Sequence, residues 1–229
     1  MAINYNRPQI VTNGLVLCLD AGDVQSYSGS GTTWTDRSGN NNHGTLQNGP
    51  TFDSANGGSI DFDSSDDRVA ISNSTSLNPT TGLTIEAWAN FDENSQDFIF
   101  EKGSVNTQYS LFSHGTDIMF RTFHDADSGY NNTRLTNKST YITNGQWHHI
   151  VGSWDGSNKR IFIDSYLAKT QAKTGILKTR TTGAAIGTFG TSTGYPFGGK
   201  IAAVRIYSKG LTAEEVLQNY NATRGRFGL

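Results

Sequence analysis

Two histidines stand side by side between two tryptophans in "NGQWHHIVGSWDG" (residues 144–156). Closely spaced imidazoles are the material of zinc sites and proton-transfer dyads. Carboxylates offer a second chemistry. "DFDSSDDR" (61–68) carries Asp61, Asp63, Asp66 and Asp67, while Asp36 and Glu86 stand apart from it. Paired acids about 5–9 Å apart cleave glycosidic bonds, whereas clustered loop acids hold calcium. Loop aromatics offer a third. Tyr130, Tyr195 and Phe197 fall in predicted connections, where a ring can stack on a sugar.

The elements that must position these side chains are mostly strands. "LTIEAWANF" (83–91) alternates at period two: Leu83, Ile85, Ala87, Ala89 and Phe91 share one face, and Thr84, Glu86, Trp88 and Asn90 the other. "LVLCL" (15–19), "SIDFD" (59–63), "RVAIS" (68–72), "DFIFEK", "YSLFS", "DIMFRTF", "WHHIVGSW", "RIFID", "AAIGTF" and "IAAVRIY" carry strand signals on to residue 207. Gly- and Asn-rich connections separate them, among them "SGNNNHG" (38–44), "DGSN" (155–158) and "TSTGYPFGG" (191–199), the last read as a hairpin loop. Roughly a dozen strands with short connections predict an all-β fold, an antiparallel β-sandwich or jelly roll. One short C-terminal helix is predicted over 212–224, with Thr212 and Glu215 as a capping box, Val216, Leu217 and Tyr220 as its apolar stripe, and Gly225 as its stop. Residues 1–13, with Pro8, read as an extended arm, and 14–229 as one domain without internal repeats.

Strand geometry then selects among the chemistries. Consecutive side chains point to opposite faces, so Trp147, His149, Val151 and Ser153 share one face and His148, Ile150 and Trp154 the other. Neighbouring histidines on one strand cannot converge on a metal, and no HExxH or Cys–His spacing supplies other ligands. A structural role is expected for both. Retaining β-glucanases on sandwich folds carry E-x-D-x-x-E along one strand, but Glu86 has Trp88 and Asn90 where further acids belong. No GxSxG elbow or phosphate-binding glycine loop follows a strand. No catalytic residue is expected. For Asp36, Asp66 and Asp67 two readings stay open: a calcium site completed by loop carbonyls, or a polar turn between strands.

Charge and composition narrow the class further. Eighteen basic residues against twenty acidic ones give a formal net charge of −2, with no basic stripe to track phosphates, so no nucleic-acid partner is expected. The single cysteine, Cys18, rules out an internal disulfide and cysteine metal knuckles, and reads as a small buried hydrophobe. "MAINYNRPQIVTNG" lacks a basic segment followed by an apolar one, and no window approaches the ~20 apolar residues that span a bilayer. A soluble chain with no membrane partner is expected.

"WTDRSGNNNHGTLQNGPTF", "GSIDFDSSDDRVAI", "GLTIEAWANF", "GQWHHIVGSWDGSNKRIFIDSYLA" and "FGGKIAAVRIYSKGLTAEEV", in that order, resemble the laminin-G-like, concanavalin-A-like jelly-roll family. The resemblance runs over roughly residues 14–220 and implies a concanavalin-A-like sandwich, in which Trp-His-His and the following Asp-Gly mark a long central strand and its hairpin. Two departures stand out. Asp164–Ser165 occupies a turn where the family often has Asp-Gly. Ile201-Ala202-Ala203-Val204 replaces a frequent Ile-Asp-Glu-Val, which removes acids from any calcium site on that strand. The opening "GLVLCLDAGD" and closing "LQNYNATRGRFG" look like the version of this module in structural proteins of tailed bacteriophages, cyanophages among them. That likeness implies a non-enzymatic virion structural protein, a capsid decoration or fibre component, localised to the virion and contacting other virion proteins. Homo-oligomerisation is left open. The alternative is a carbohydrate-binding module recognising host cell-surface glycan through Tyr130, Tyr195 and Phe197, with calcium as the one cofactor admitted.

Overall fold

The computed structural model describes residues 9–92, 97–103, 107–190 and 194–229, so the first eight residues of the expected arm lie outside the described residues. The strands are β1 (Leu15–Asp20), β2 (Thr33–Trp34), β3 (Gly44–Gln47), β4 (Thr51–Asp53), β5 (Ser59–Asp63), β6 (Arg68–Ile71), β7 (Leu83–Phe91) and β8 (Phe98–Lys102). They continue as β9 (Tyr109–His114), β10 (Asp117–Thr122), β11 (Asn131–Leu135), β12 (Trp147–Trp154), β13 (Asn158–Ile163), β14 (Tyr166–Ala172), β15 (Ala184–Ile186) and β16 (Gly198–Tyr207). Helix α1 spans Ala213–Thr223.

All pairings are antiparallel and divide the strands into two sheets. One runs β14-β13-β12-β7-β16-β5-β4, with β1 also on β16; the other runs β11-β10-β9-β8-β15-β6-β3-β2. The period-two pattern sorts the faces as predicted. Leu83, Ile85, Ala87, Ala89 and Phe91 of β7, with Ile150 and Trp154 of β12, meet Phe100, Leu111, Ile118 and Phe120 of the second sheet in one core. Gly152 is required there, because a Cβ at this position would lie 2.6 Å from the Phe120 ring. The hairpin after β13 turns on Asp164 and Ser165 alone, both at positive φ (50° and 68°), so Ser165 occupies a conformation that glycine adopts more easily.

The C-terminal segment decides which sheet face stays open. Thr212 and Glu215 form the expected capping box, with Thr212 Oγ1 accepting from the Glu215 N–H at 3.3 Å and Glu215 Oε2 from the Thr212 N–H at 3.0 Å. Val216 packs with Val11, Val151, Phe162, Tyr207 and Leu211. Leu217, expected in the apolar stripe, is exposed; the buried neighbour of Val216 is Asn219, three residues on. Nor does Gly225 stop the chain. A 3-10 turn, Arg224–Phe227, follows α1, and the left-handed residue is Gly228. This extra turn lays Phe227 on Trp88 at 4.2 Å between ring centroids, while the Trp88 Nε1–H donates to Thr223 Oγ1 at 2.8 Å. The helix and tail therefore close over the second face of β7. This is why that face carries Trp88 yet is not solvent-exposed.

The "TSTGYPFGG" segment, of which residues 194–199 are described, does not join two paired strands. β15 pairs with β6 and β8 in the second sheet, whereas β16 pairs with β5, β7 and β1 in the first, so the connection crosses between sheets. A residue entering β16 along that path points between the sheets. Phe197 does so.

Candidate functional site

The two histidines diverge as strand alternation requires. His148 Nε2 accepts the Thr143 N–H at 3.0 Å, which leaves Nδ1 as the donor to Asp164 Oδ2 at 2.7 Å. Both nitrogens are occupied, and the other Asp164 oxygen accepts the His149 N–H at 2.8 Å. His149 points to the opposite face, fully buried, with its ring on Trp88 and Nε2 3.2 Å from Glu86 Oε1. Glu86 is held by Arg205 at 2.6 Å and accepts from Asn219 Nδ2 at 2.5 Å. Burial alone would raise the Glu86 carboxyl, but Arg205, His149 and Asn219 outweigh it and hold its pKa at about 2. Under the helix, this group is a closed ionic joint with no opening for substrate.

The acids separate in the same way. Asp36 was expected beside Asp66 and Asp67, but the fold spends its carboxylate locally. Oδ1 accepts the Cys18 and Ser38 N–H groups at 2.8 and 2.9 Å, and Oδ2 accepts Ser38 Oγ and the Asn42 N–H at 2.7 and 2.9 Å. A carboxylate that serves four donors stabilises its own turn and does not join a second group. Asp63 takes its place: Asp63, Asp66 and Asp67 bring carboxylate oxygens within 4.8 Å of one another. Burial, followed by the neighbouring acids, pushes Asp67 upward. Asn48, Asp61 and Asp92 line the same groove, an oxygen-rich donor set of the kind a hard cation takes.

The aromatic candidates fare differently. Phe197 is fully buried between Phe62 and Phe91 and cannot stack on a ligand in this fold. Tyr130 and Tyr195 are exposed, at 43% and 51%, and both belong to the outer face of the second sheet. A continuous strip joins them. Tyr195 packs on Phe98 at 6.2 Å, Phe98 stacks on Phe112 at 4.4 Å, and the Arg121 guanidinium lies 4.7 Å from the Phe112 ring and 4.6 Å from the Tyr130 ring. Register explains the strip: Phe98 pairs with Phe112 and Phe112 with Met119, so these outward positions share one row.

A polar row runs beside it, Ala185–Glu101–Ser110–Arg121–Asn132, each residue paired with the next across neighbouring strands. Glu101 and Ser110 are fully buried; Thr107 Oγ1 donates to Glu101 Oε1, and Ser110 Oγ has no hydrogen-bond partner among the described residues. Burial pushes the Glu101 carboxyl up to about 8, against the opposing pull of Thr107 and Arg121. Glu101 is the one carboxylate among the five residues of this row. Sequence reading found the two tyrosines but missed Phe98, Phe112, Arg121 and Glu101. Their signal was present: "DFIFEK", "YSLFS" and "DIMFRTF" carry large side chains at both parities, the mark of strands covered on both faces.

A two-sheet sandwich with one sheet face closed by its own helix and the other carrying exposed rings beside polar groups defines a lectin-like jelly-roll domain. The chain belongs to the concanavalin A-like lectin/glucanases superfamily, whose laminin-G-like profile matches residues 63–217. Among curated proteins no sequence matches it. Among solved structures it is similar to Domain 4 of AbnA, a GH43 extracellular arabinanase from Geobacillus stearothermophilus, in complex with arabinotriose. That match has a TM-score of 0.71 at 18% identity and covers 90% of this chain and 98% of that domain. It is also similar to the binding domain of Paraclostridial Mosquitocidal Protein 1, with a TM-score of 0.73 at 15% identity, covering 92% of this chain and 52% of that one. The receptor binding domain of botulinum neurotoxin D gives a TM-score of 0.70 at 13% identity, over 91% and 52%. The chain thus spans about half the length of the toxin domains and nearly all of the arabinanase domain.

Proposed function

We propose that this chain is a non-enzymatic binding module that takes a glycan on the outer face of its second sheet, between Tyr130 and Tyr195. One observation carries the reading: the exposed rings of Tyr130 and Tyr195 end a strip whose middle, Phe98 and Phe112, is buried, on the sheet opposite the one that the C-terminal helix covers. Exposed rings beside the half-buried Arg121 and Asn132 suit sugars, whose apolar faces stack while their hydroxyls seek hydrogen bonds. The arabinotriose complex of the similar arabinanase domain supports the same class of ligand. The test is a glycan array probed with the purified chain and with Tyr130→Ala and Tyr195→Ala variants. Loss of each ring should weaken binding about 10-fold, the worth of one stacking contact of about 1–2 kcal/mol. An array on which the wild-type chain gives no signal refutes the proposal. We propose calcium as a structural cofactor, which Asp63, Asp66 and Asp67 would hold.

Display of this module on a virus particle is a second, compatible reading. It rests on the likeness of "GLVLCLDAGD" and "LQNYNATRGRFG" to virion modules and draws support from how the arm begins. The Val11 N–H donates to Asn219 Oδ1 at 2.7 Å and Gln218 Nε2 donates to the Gln9 carbonyl at 2.7 Å, so the segment leading out of the domain is anchored to α1. Mass spectrometry of purified particles decides it, and absence of the chain from them rejects it.

A further inference from the structure

Three cations gather at the Tyr130 end of the strip, and none of them forms a salt bridge among the described residues. The Arg121 guanidinium lies between Phe112 and Tyr130, and Lys178 and Arg180 lie over the Phe123 ring at 5.3 and 5.1 Å, with Phe123 itself packed edge-on against Tyr130 at 5.8 Å. The ion pairs of the region go elsewhere: Arg134 to Asp117 and Lys173 to Asp127. Arg121 Nε donates to Asn132 Oδ1 at 3.0 Å, and its two Nη groups have no protein partner among the described residues. Arg180 Nε is buried with no hydrogen-bond partner among the described residues. Glu101 is the carboxylate that acts on Arg121, and burial favours its neutral form.

Leaving such groups unpaired is costly. A half-buried guanidinium loses hydration, and a ring face returns only part of it. A planar fork with both Nη groups free matches the geometry of a carboxylate or sulfate. Building on the glycan reading above, we infer that the ligand of this face is an anionic sugar, whose carboxylate or sulfate meets the Nη edge of Arg121 while its ring lies on Tyr130 and Lys178 and Arg180 add positive charge alongside. The two anions share the chemistry of an oxyanion on a sugar ring.

The test titrates the full chain with oligogalacturonate, its methyl ester, a chondroitin sulfate oligosaccharide, neutral arabinotriose and an oligothymidylate. The expected result is binding of oligogalacturonate or the sulfated oligosaccharide, weakened by added salt and at least ~10-fold weaker for the ester. Arg121→Gln should lower affinity for the acid at least ~10-fold, and Arg121→Lys should recover only part of it, because an ammonium lacks the planar fork. Lys178→Gln with Arg180→Gln should cost about 3-fold through the long-range charge. Unchanged thermal unfolding of each variant separates lost binding from lost fold. Equal binding of ester and acid, unaffected by Arg121→Gln but lost with Tyr130→Ala, overturns the inference and leaves the glycan reading standing. No binding of any sugar overturns both. Oligothymidylate binding more tightly than either acidic sugar would assign these cations to nucleic acid and also overturns it.

Discussion

Glu86→Gln removes one charge from the buried joint of Glu86, Arg205, His149 and Asn219 and keeps its shape. Glu86 is fully buried and Arg205 nearly so, so little water is at hand to compensate. Although burial acts to raise it, the carboxyl is held at about 2 against an ordinary 4.5 by Arg205 first, then His149 and Asn219. At about 1.4 kcal/mol per pH unit, that interval corresponds to about 3 kcal/mol of stability. Breaking a buried ion pair from one side costs about 3–5 kcal/mol by a separate route, so the two figures agree. For a chain of this size the loss should lower the melting temperature by about 6–12 °C. The sign follows from the lowered pKa. The contribution is full above the unfolded-state value of 4.5 and disappears as pH falls through about 2. Thermal unfolding followed by circular dichroism, wild type against variant in matched buffers, reads this directly. The gap should be full at pH ~7 and shrink to about 1 kcal/mol at pH ~2.5. A deficit under about 1 kcal/mol at neutral pH, or one that persists undiminished in acid, refutes the account of Glu86 as a paired carboxylate.

Ser165→Gly should stabilise the chain by about 0.5–1 kcal/mol, because the second residue of the two-residue turn already sits at φ 68°; a lower melting temperature would show that the Ser165 side chain contributes more than its backbone costs. If calcium occupies the Asp63, Asp66 and Asp67 group, adding it at ~100 times its Kd should raise stability by about 2.7 kcal/mol, an effect that Asp66→Asn with Asp67→Asn removes. A melting curve that calcium leaves unmoved argues for the polar turn instead. Asp36→Asn should leave any calcium response intact while lowering stability, since Asp36 serves its own turn.

Much of this molecule was legible in one dimension, because a strand's period of two is a local property. Leu83, Ile85, Ala87, Ala89 and Phe91 had to share a face, and His148 had to part from His149, whatever the rest of the chain did. The capping box of Thr212 and Glu215 is equally local, spanning four residues. What the tertiary structure alone decided was where each face went. Whether Glu86 and Trp88 met water or protein depended on residues 213–227 folding back across β7, a contact more than a hundred positions away. Phe197 went inside because its segment crosses between sheets rather than turning within one, and no pattern in "TSTGYPFGG" records that crossing. Arg121 came to lie between Phe112 and Tyr130, and Asp63 rather than Asp36 came to join Asp66 and Asp67, through strand register and loop path. Alternation determines which side chains share a face; only the pairing of distant strands determines which of them meet.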